Sequence, residues 1–279
     1  MRSSHRVHHG AITLIEVVVL LGIIAFLLLL LLPALNKLGP CGGNRTHCAN
    51  NLKHIGLALR IYADMHPRRL AWGLSSPRLP AGTIPNAALE TDQRLSWVVE
   101  LLPFLEEDVL YRQFDQSAAW DAESNLPVSR TPLRIFQCPA WKGEFRSANP
   151  WETPYVGIAG VGSDAATRSF GDPRIGAFGY DRRTAFVDVK DGTSNTLMVL
   201  ESTRNTDSWA RGGFTTVRAV NPEDKPYVGA GRPFGGTHVA GSNALMMDGS
   251  VWTLSETTSP EVLEALATIA GGEKIPEDF

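Results

Sequence analysis

Cysteine is scarce in this chain: there are three among 279 residues, Cys41, Cys48 and Cys138, and none has Cys-x-x-Cys spacing. That excludes a disulfide-built scaffold and argues against a zinc cage. Charge is also modest, at 20% of residues, with 26 Lys and Arg against 29 Asp and Glu, a net charge of −3. A binder of phosphate backbones needs clustered Lys and Arg, so nucleic acid is not expected as a partner. The chain has no Gly-x-Ser-x-Gly elbow, no P-loop, no His-Glu-x-x-His and no Gly-x-Gly-x-x-Gly opening a helix after a strand. It is read as a non-enzyme with no obligate cofactor. His47, His54 and His66 fall on or beside a helical stretch without ligand spacing. What is present is 43% apolar residue with 26 Gly and 18 Pro, which excludes bulk disorder and predicts many turns.

The apolar residues are unevenly placed. Met1 to Gly10 carries Arg2 and Arg6 and no acid, and the 25 residues from Ala11 to Leu35 carry one charge, Glu16. As a helix, this run spans about 37 Å, enough for a hydrocarbon core of roughly 30 Å. It is longer than the apolar region of a cleaved secretory signal, and no small-x-small cut site follows it. A carboxylate in lipid costs about 2.5–3.5 kcal/mol. Glu16 therefore either snorkels to the interface or pairs with a cation supplied from elsewhere. Arg2 and Arg6 keep the N-terminus cytoplasmic by the positive-inside rule, so everything after Pro33 is expected outside the cytoplasm.

Gly10-Ala11-Ile12-Thr13-Leu14-Ile15-Glu16 ahead of an apolar helix resembles the type IV prepilin processing site. The resemblance implies removal of a basic leader by a prepilin peptidase, methylation of the new amine, and a glutamate that neutralises the N-terminus of a neighbouring subunit. Ala11 is inserted relative to the usual motif, so the cut follows either Gly10 or Ala11. Pro33 stands 17 residues after Glu16, where pilin helices carry their kinking proline, and this register favours Ile12 as the first mature residue. The expected layout is a leader over 1–11, a transmembrane helix over 12–35, an extracytoplasmic helical stretch over 36–66 broken near 39–44, and a head domain over 67–279.

In the helical stretch, Leu52, Ile55, Leu59 and Tyr62 define an apolar face that Leu57 and Ile61 widen. Ser96 to Phe114 predicts two short helices around Pro103, with Trp97, Leu101, Leu105 and Leu110 facing the core. Short β-rich runs follow: Tyr155–Ala159, Thr184–Val189, Asn195–Glu201, Phe214–Arg218, Asn243–Asp248 and Ser250–Leu254. A last helix starts with Ser259 as N-cap and Pro260 in its first turn, and stops at Gly271-Gly272. The fold class is α+β and pilin-like, with an antiparallel sheet and short helices in the head.

Asp248-Gly249 between two apolar runs is a strong hairpin signal, because the turn needs positive φ. His238, ten residues earlier, enters that hairpin either as a structural clasp on the turn or as half of a metal or acid–base pair. The spacing His238-x9-Asp248-Gly249 resembles the C-terminal H-X9-DG box of a large uncharacterised family of prepilin-type bacterial envelope proteins. Cys48-Ala49-Asn50-Asn51-Leu52-Lys53-His54-Ile55-Gly56, Cys138-Pro139 and Asp191-Gly192-Thr193-Ser194-Asn195-Thr196 resemble further segments of it, in order. Three cysteines allow three single bridges. The resemblance implies Cys48–Cys138, since both lie in matching segments. Asp191 and Asn195 belong to an oxygen-rich loop that reads as an Asx turn, with calcium as the alternative ligand. The resemblance implies a pilin-like or pseudopilin-like subunit of the inner membrane, able to self-assemble or to join other pilin-like subunits. A monomeric anchored module binding a glycan, peptide or envelope partner is the competing reading.

Overall fold

The structure is a computed structural model that describes residues 14–36, 40–139, 141, 149–235, 238 and 241–276, with the side chains of 29–36 and 40–43 left out. Gly10, Ala11 and Ile12 lie outside the described residues, and so do residues 37–39. The chain divides into two compact units, Met1–Gly43 and Asn44–Phe279.

Helix α1 covers Leu14–Asn36 with Glu16 in its first turn. It runs helical through Pro33, whose side chain is not described. Its described side chains, Leu14 to Leu28, are all exposed. Among the described residues no helix is long and apolar enough to cross a membrane.

Helix α2 covers Pro40–Met65. The expected break near 39–44 is thus absent from Pro40 onward, because proline at a helix start loses no hydrogen bond that the first turn would make. The buried face of α2 is Cys48, Leu52, Ile55, Ala58, Leu59 and Tyr62, at steps of three and four. Leu57 and Ile61 do not widen it; they are exposed. After the two-residue strands β1 (Arg68–Arg69) and β2 (Ser75–Ser76) come α3 (Trp97–Leu101), a 3-10 turn at Leu102–Leu105, α4 (Asp108–Tyr111) and α5 (Leu126–Ser129). Ser96 caps α3, its hydroxyl accepting the Val98 N–H at 3.2 Å. Trp97, Leu101 and Leu110 are buried, while Leu105 is half-buried.

The sheet holds β3 (Tyr155–Val161), β4 (Leu197–Glu201), β5 (Val217–Val220), β6 (Gly241–Met246) and β7 (Val251–Ser255) in the order β5-β3-β4-β6-β7. It is mixed, not antiparallel throughout as expected, because β3 and β5 pair in parallel. Thr184–Val189 is not a strand. A 3-10 turn occupies Phe186–Asp188, and Asp188 closes it by accepting the Ala185 N–H at 3.0 Å and a two-pronged ion pair from Arg68 at 2.7 and 2.9 Å. The last helix, α6, covers Pro260–Ala267 and stops before Gly271, since Thr268 is already extended.

Alternation sends the two faces of the sheet into two cores. Tyr155, Ala159, Val217, Leu245 and Met247 pack with α2 and α3 in the larger core. Val156, Ile158, Val220, Ala244 and Met246 pack with α6 in the smaller one. A register shift between Leu197 and Val199 breaks the alternation of β4, so Met198 and Val199 both belong to the larger core.

Candidate functional site

The end of the sheet on the side of the larger core carries a buried polar cluster. Tyr155 of β3 lies opposite Glu201 of β4 in register. One strand further, the Asn243 backbone N–H donates to Glu201 Oε2 at 2.8 Å and its side-chain amide to Oε1 at 3.2 Å. Glu201 is 0% exposed, so these charge-assisted bonds offset a desolvation cost of several kcal/mol.

Into this pocket come two residues from distant parts of the chain. Cys48 of α2 and Cys138, 90 residues apart, are joined as a disulfide with Cα atoms 5.3 Å apart, packed against Trp141. His238 sits where a single antiparallel bridge pairs it with Gly241 at the start of β6. Its Nε2 lies 3.6 Å from Cys138 Sγ and 3.5 Å from Glu201 Oε1. The ligand atoms of Cys48, Cys138, Glu201 and His238 all fall within 4.8 Å of one another.

Trp141 Nε1 and Nε and Nη2 of Arg45 are buried without hydrogen-bond partners among the described residues. Burial pushes the Tyr155 phenol well above its ordinary value of 10, and the Glu201 charge pushes it further.

The two halves of the H-X9-DG spacing serve different places. Asp248-Gly249 forms the turn between β6 and β7, with Gly249 at φ +89° and its N–H donating to Met246 O at 3.0 Å. The Asp248 carboxylate accepts the Ser250 N–H at 2.8 Å and hydroxyl at 2.6 Å. Burial works against the charged form there, yet those bonds hold the carboxyl below its ordinary value. The described side-chain contacts of His238 go instead to Cys138 and Glu201. The Asp191 carboxylate accepts the N–H groups of Gly271 at 2.8 Å and Gly272 at 3.0 Å, and Asn195 bonds the Asp191 carbonyl at 3.2 Å.

Sequence reasoning singled out Cys48, Cys138 and His238 but missed Glu201 and Asn243. The signal for Glu201 was a lone acid closing the apolar run Leu197-Met198-Val199-Leu200, where only a partnered carboxylate is tolerated.

A second feature is a cleft of about 300 Å³ lined by Tyr180, Arg204, Phe214, Arg218 and Phe234 among others. Arg218 is 3% exposed and donates to neutral oxygens: Phe214 O at 3.1 Å, Ser202 Oγ at 2.6 Å and Asn205 O at 2.9 Å. Its guanidinium stands 4.9 Å from the Phe214 ring centre. Burial, aided by the Arg204 charge, depresses it to about 10.

A family described as "Protein of unknown function (DUF1559)" matches residues 44–221, well over half of the chain. Both bridged cysteines and Glu201 fall inside the match, whereas His238, Asp248 and Gly249 lie beyond it. No curated protein and no solved structure gives a significant match.

Proposed function

We propose, for a chain that belongs to the DUF1559 family of proteins of unknown function, the role of a membrane-anchored, pilin-like or pseudopilin-like structural subunit of the bacterial envelope. The observation that carries this reading is α1. From Leu14 to Leu28 it exposes every side chain, and Glu16 is the only charged one. Burying one Leu, Ile or Phe side chain is worth about 1.5–3 kcal/mol, so such a helix gains strongly from lipid or from neighbouring apolar helices. The basic leader places the N-terminus in the cytoplasm and the head outside it, where thiols pair, and the Cys48–Cys138 bridge fits that compartment. On this reading a prepilin peptidase of the inner membrane removes residues 1–11, or 1–10, and the new amine is methylated. Leu57, Ile61 and Met65, exposed at four-residue steps along α2, support contact with further copies or other pilin-like subunits.

Assembly is tested by crosslinking the full chain in native membranes. Glu16→Ala removes a charge from the apolar helix, so insertion is retained or improved while subunit crosslinks fall. Undiminished crosslinks would overturn the assembly role.

The Arg218 cleft favours a second reading, an anchored binding module. A buried guanidinium that, among the described residues, is held by neutral oxygens, with Arg204 beside it and Phe214 beneath it, suits a glycan or peptide bearing a carboxylate or sulfate. Binding of an anionic glycan that Arg204→Ala weakens, alongside Glu16→Ala crosslinks that stay unchanged, would favour the module over the subunit.

A further inference from the structure

We propose that Cys48, Cys138, His238 and Glu201 form a redox-linked metal site, closed as a disulfide when oxidised and holding one zinc ion when that disulfide is reduced. The four side chains are 0, 5, 9 and 0% exposed, and their ligand atoms fall within 4.8 Å of one another. Tetrahedral zinc, with bonds of about 2.3 Å to sulfur and about 2.0–2.2 Å to nitrogen and oxygen, sets a nitrogen–sulfur edge near 3.6 Å and a nitrogen–oxygen edge near 3.4 Å. The His238 Nε2 separations are 3.6 Å to Cys138 Sγ and 3.5 Å to Glu201 Oε1. Two edges of the tetrahedron are thus in place before any ion enters, and the sulfurs must part to about 3.8 Å once the bond between them is broken. Two thiolates, an imidazole and a carboxylate form a zinc donor set.

The outer shell fits as well. Asn243 holds Glu201 through both oxygens, as a ligating carboxylate is held in metal sites. Zinc with two thiolates and one carboxylate carries a net charge of −1. Arg45 stands near the bridge partner of His238, its Nη2 lying 3.2 Å from where a side chain on Gly241 would begin.

The reaction balances with a dithiol as reductant. Its oxidation to a disulfide delivers two electrons and two protons, breaking the Cys48–Cys138 bond to give two thiols. Zinc then forms two bonds to sulfur, one to Nε2 and one to Oε1, and the two thiol protons pass to solvent. Nε2 donates its lone pair while Nδ1 carries the ring proton.

The test uses the full chain in detergent, oxidised or reduced, titrated with Co²⁺ and then Zn²⁺. The reduced chain is expected to take one Co²⁺ with tetrahedral ligand-field bands and thiolate-to-cobalt charge transfer, to lose both on adding one equivalent of Zn²⁺, and to release two protons per ion. The oxidised chain gives neither band. His238→Ala and Glu201→Gln each lower affinity by more than the roughly 10–100-fold that an outer-shell partner is worth. A reduced chain that shows no cobalt bands overturns the proposal, whether folded or unfolded. So do bands that persist unchanged in both variants, which would mean that the thiols bind without His238 and Glu201.

Discussion

At Gly160 the backbone holds φ +118°, and a side chain there would begin 1.9 Å from the Arg174 carbonyl oxygen. Gly249 also has positive φ, +89°, but nothing lies within 4 Å of its would-be Cβ. The two glycines separate strain from collision. Gly249→Ala should cost about 1–2 kcal/mol for left-handed backbone alone, a fall of roughly 2–8 °C in Tm for a domain of this size. Gly160→Ala should yield no folded head, since the obstacle is backbone that cannot step aside. Thermal unfolding of the two variants checks the order. Gly249→Val should likewise be worse than His238→Ala, because the latter leaves both Asn243 bonds to Glu201 in place. Glu100 gives a test in pH. Burial raises its carboxyl above the ordinary 4.5, against the pull of Arg183, 3.1 Å away. A folded-state value above the unfolded one means that folding takes up a proton, so this contribution is complete below about 4.5 and is lost as pH rises through the folded value. Glu100→Gln removes that loss, so its melting point should gain on wild type as pH rises from 4.5 through that window.

The Cys48–Cys138 bridge ties α2 to a segment 90 residues away. Closing a loop of that size is worth about 4–5 kcal/mol in the chain-entropy account, so the Cys48→Ser, Cys138→Ser double variant should melt far below wild type in denaturant titration. Ser259 accepts the Val262 N–H at the start of α6, and Ser259→Ala should cost about 1 kcal/mol by the same measurement. Elements whose determinants are local were legible in the sequence: the Ser259-Pro260 helix start, the Asp248-Gly249 turn and the alternation of β6 and β7. Elements decided by distant partners were not. The Thr184–Val189 run has strand composition, but Asp188 is claimed by Arg68, 120 residues away, and by its own turn. The parallel pairing of β3 with β5 depends on a crossover of more than 50 residues, of which local alternation carries no trace. The cluster follows the same rule. His238 and the cysteines stood out by residue type, whereas Glu201 and Asn243 became visible only when strand register brought them together.

Across the whole molecule, two chemistries meet in one chain: an exposed apolar helix at one end of the sequence and a bridged, densely packed α+β head in the rest. On the proposed reading, α1 is the part of the chain that anchors the subunit. The fate of the N-terminus in a cell therefore decides the proposed role. The most direct measurement is the intact mass of the full-length product expressed with a prepilin peptidase and recovered from alkaline-washed bacterial membranes. The account predicts a membrane-retained chain that begins at Ile12, or at Ala11 if the cut follows Gly10, and that carries one added methyl group. A chain that keeps Met1, or that collects in the soluble fraction, would contradict it.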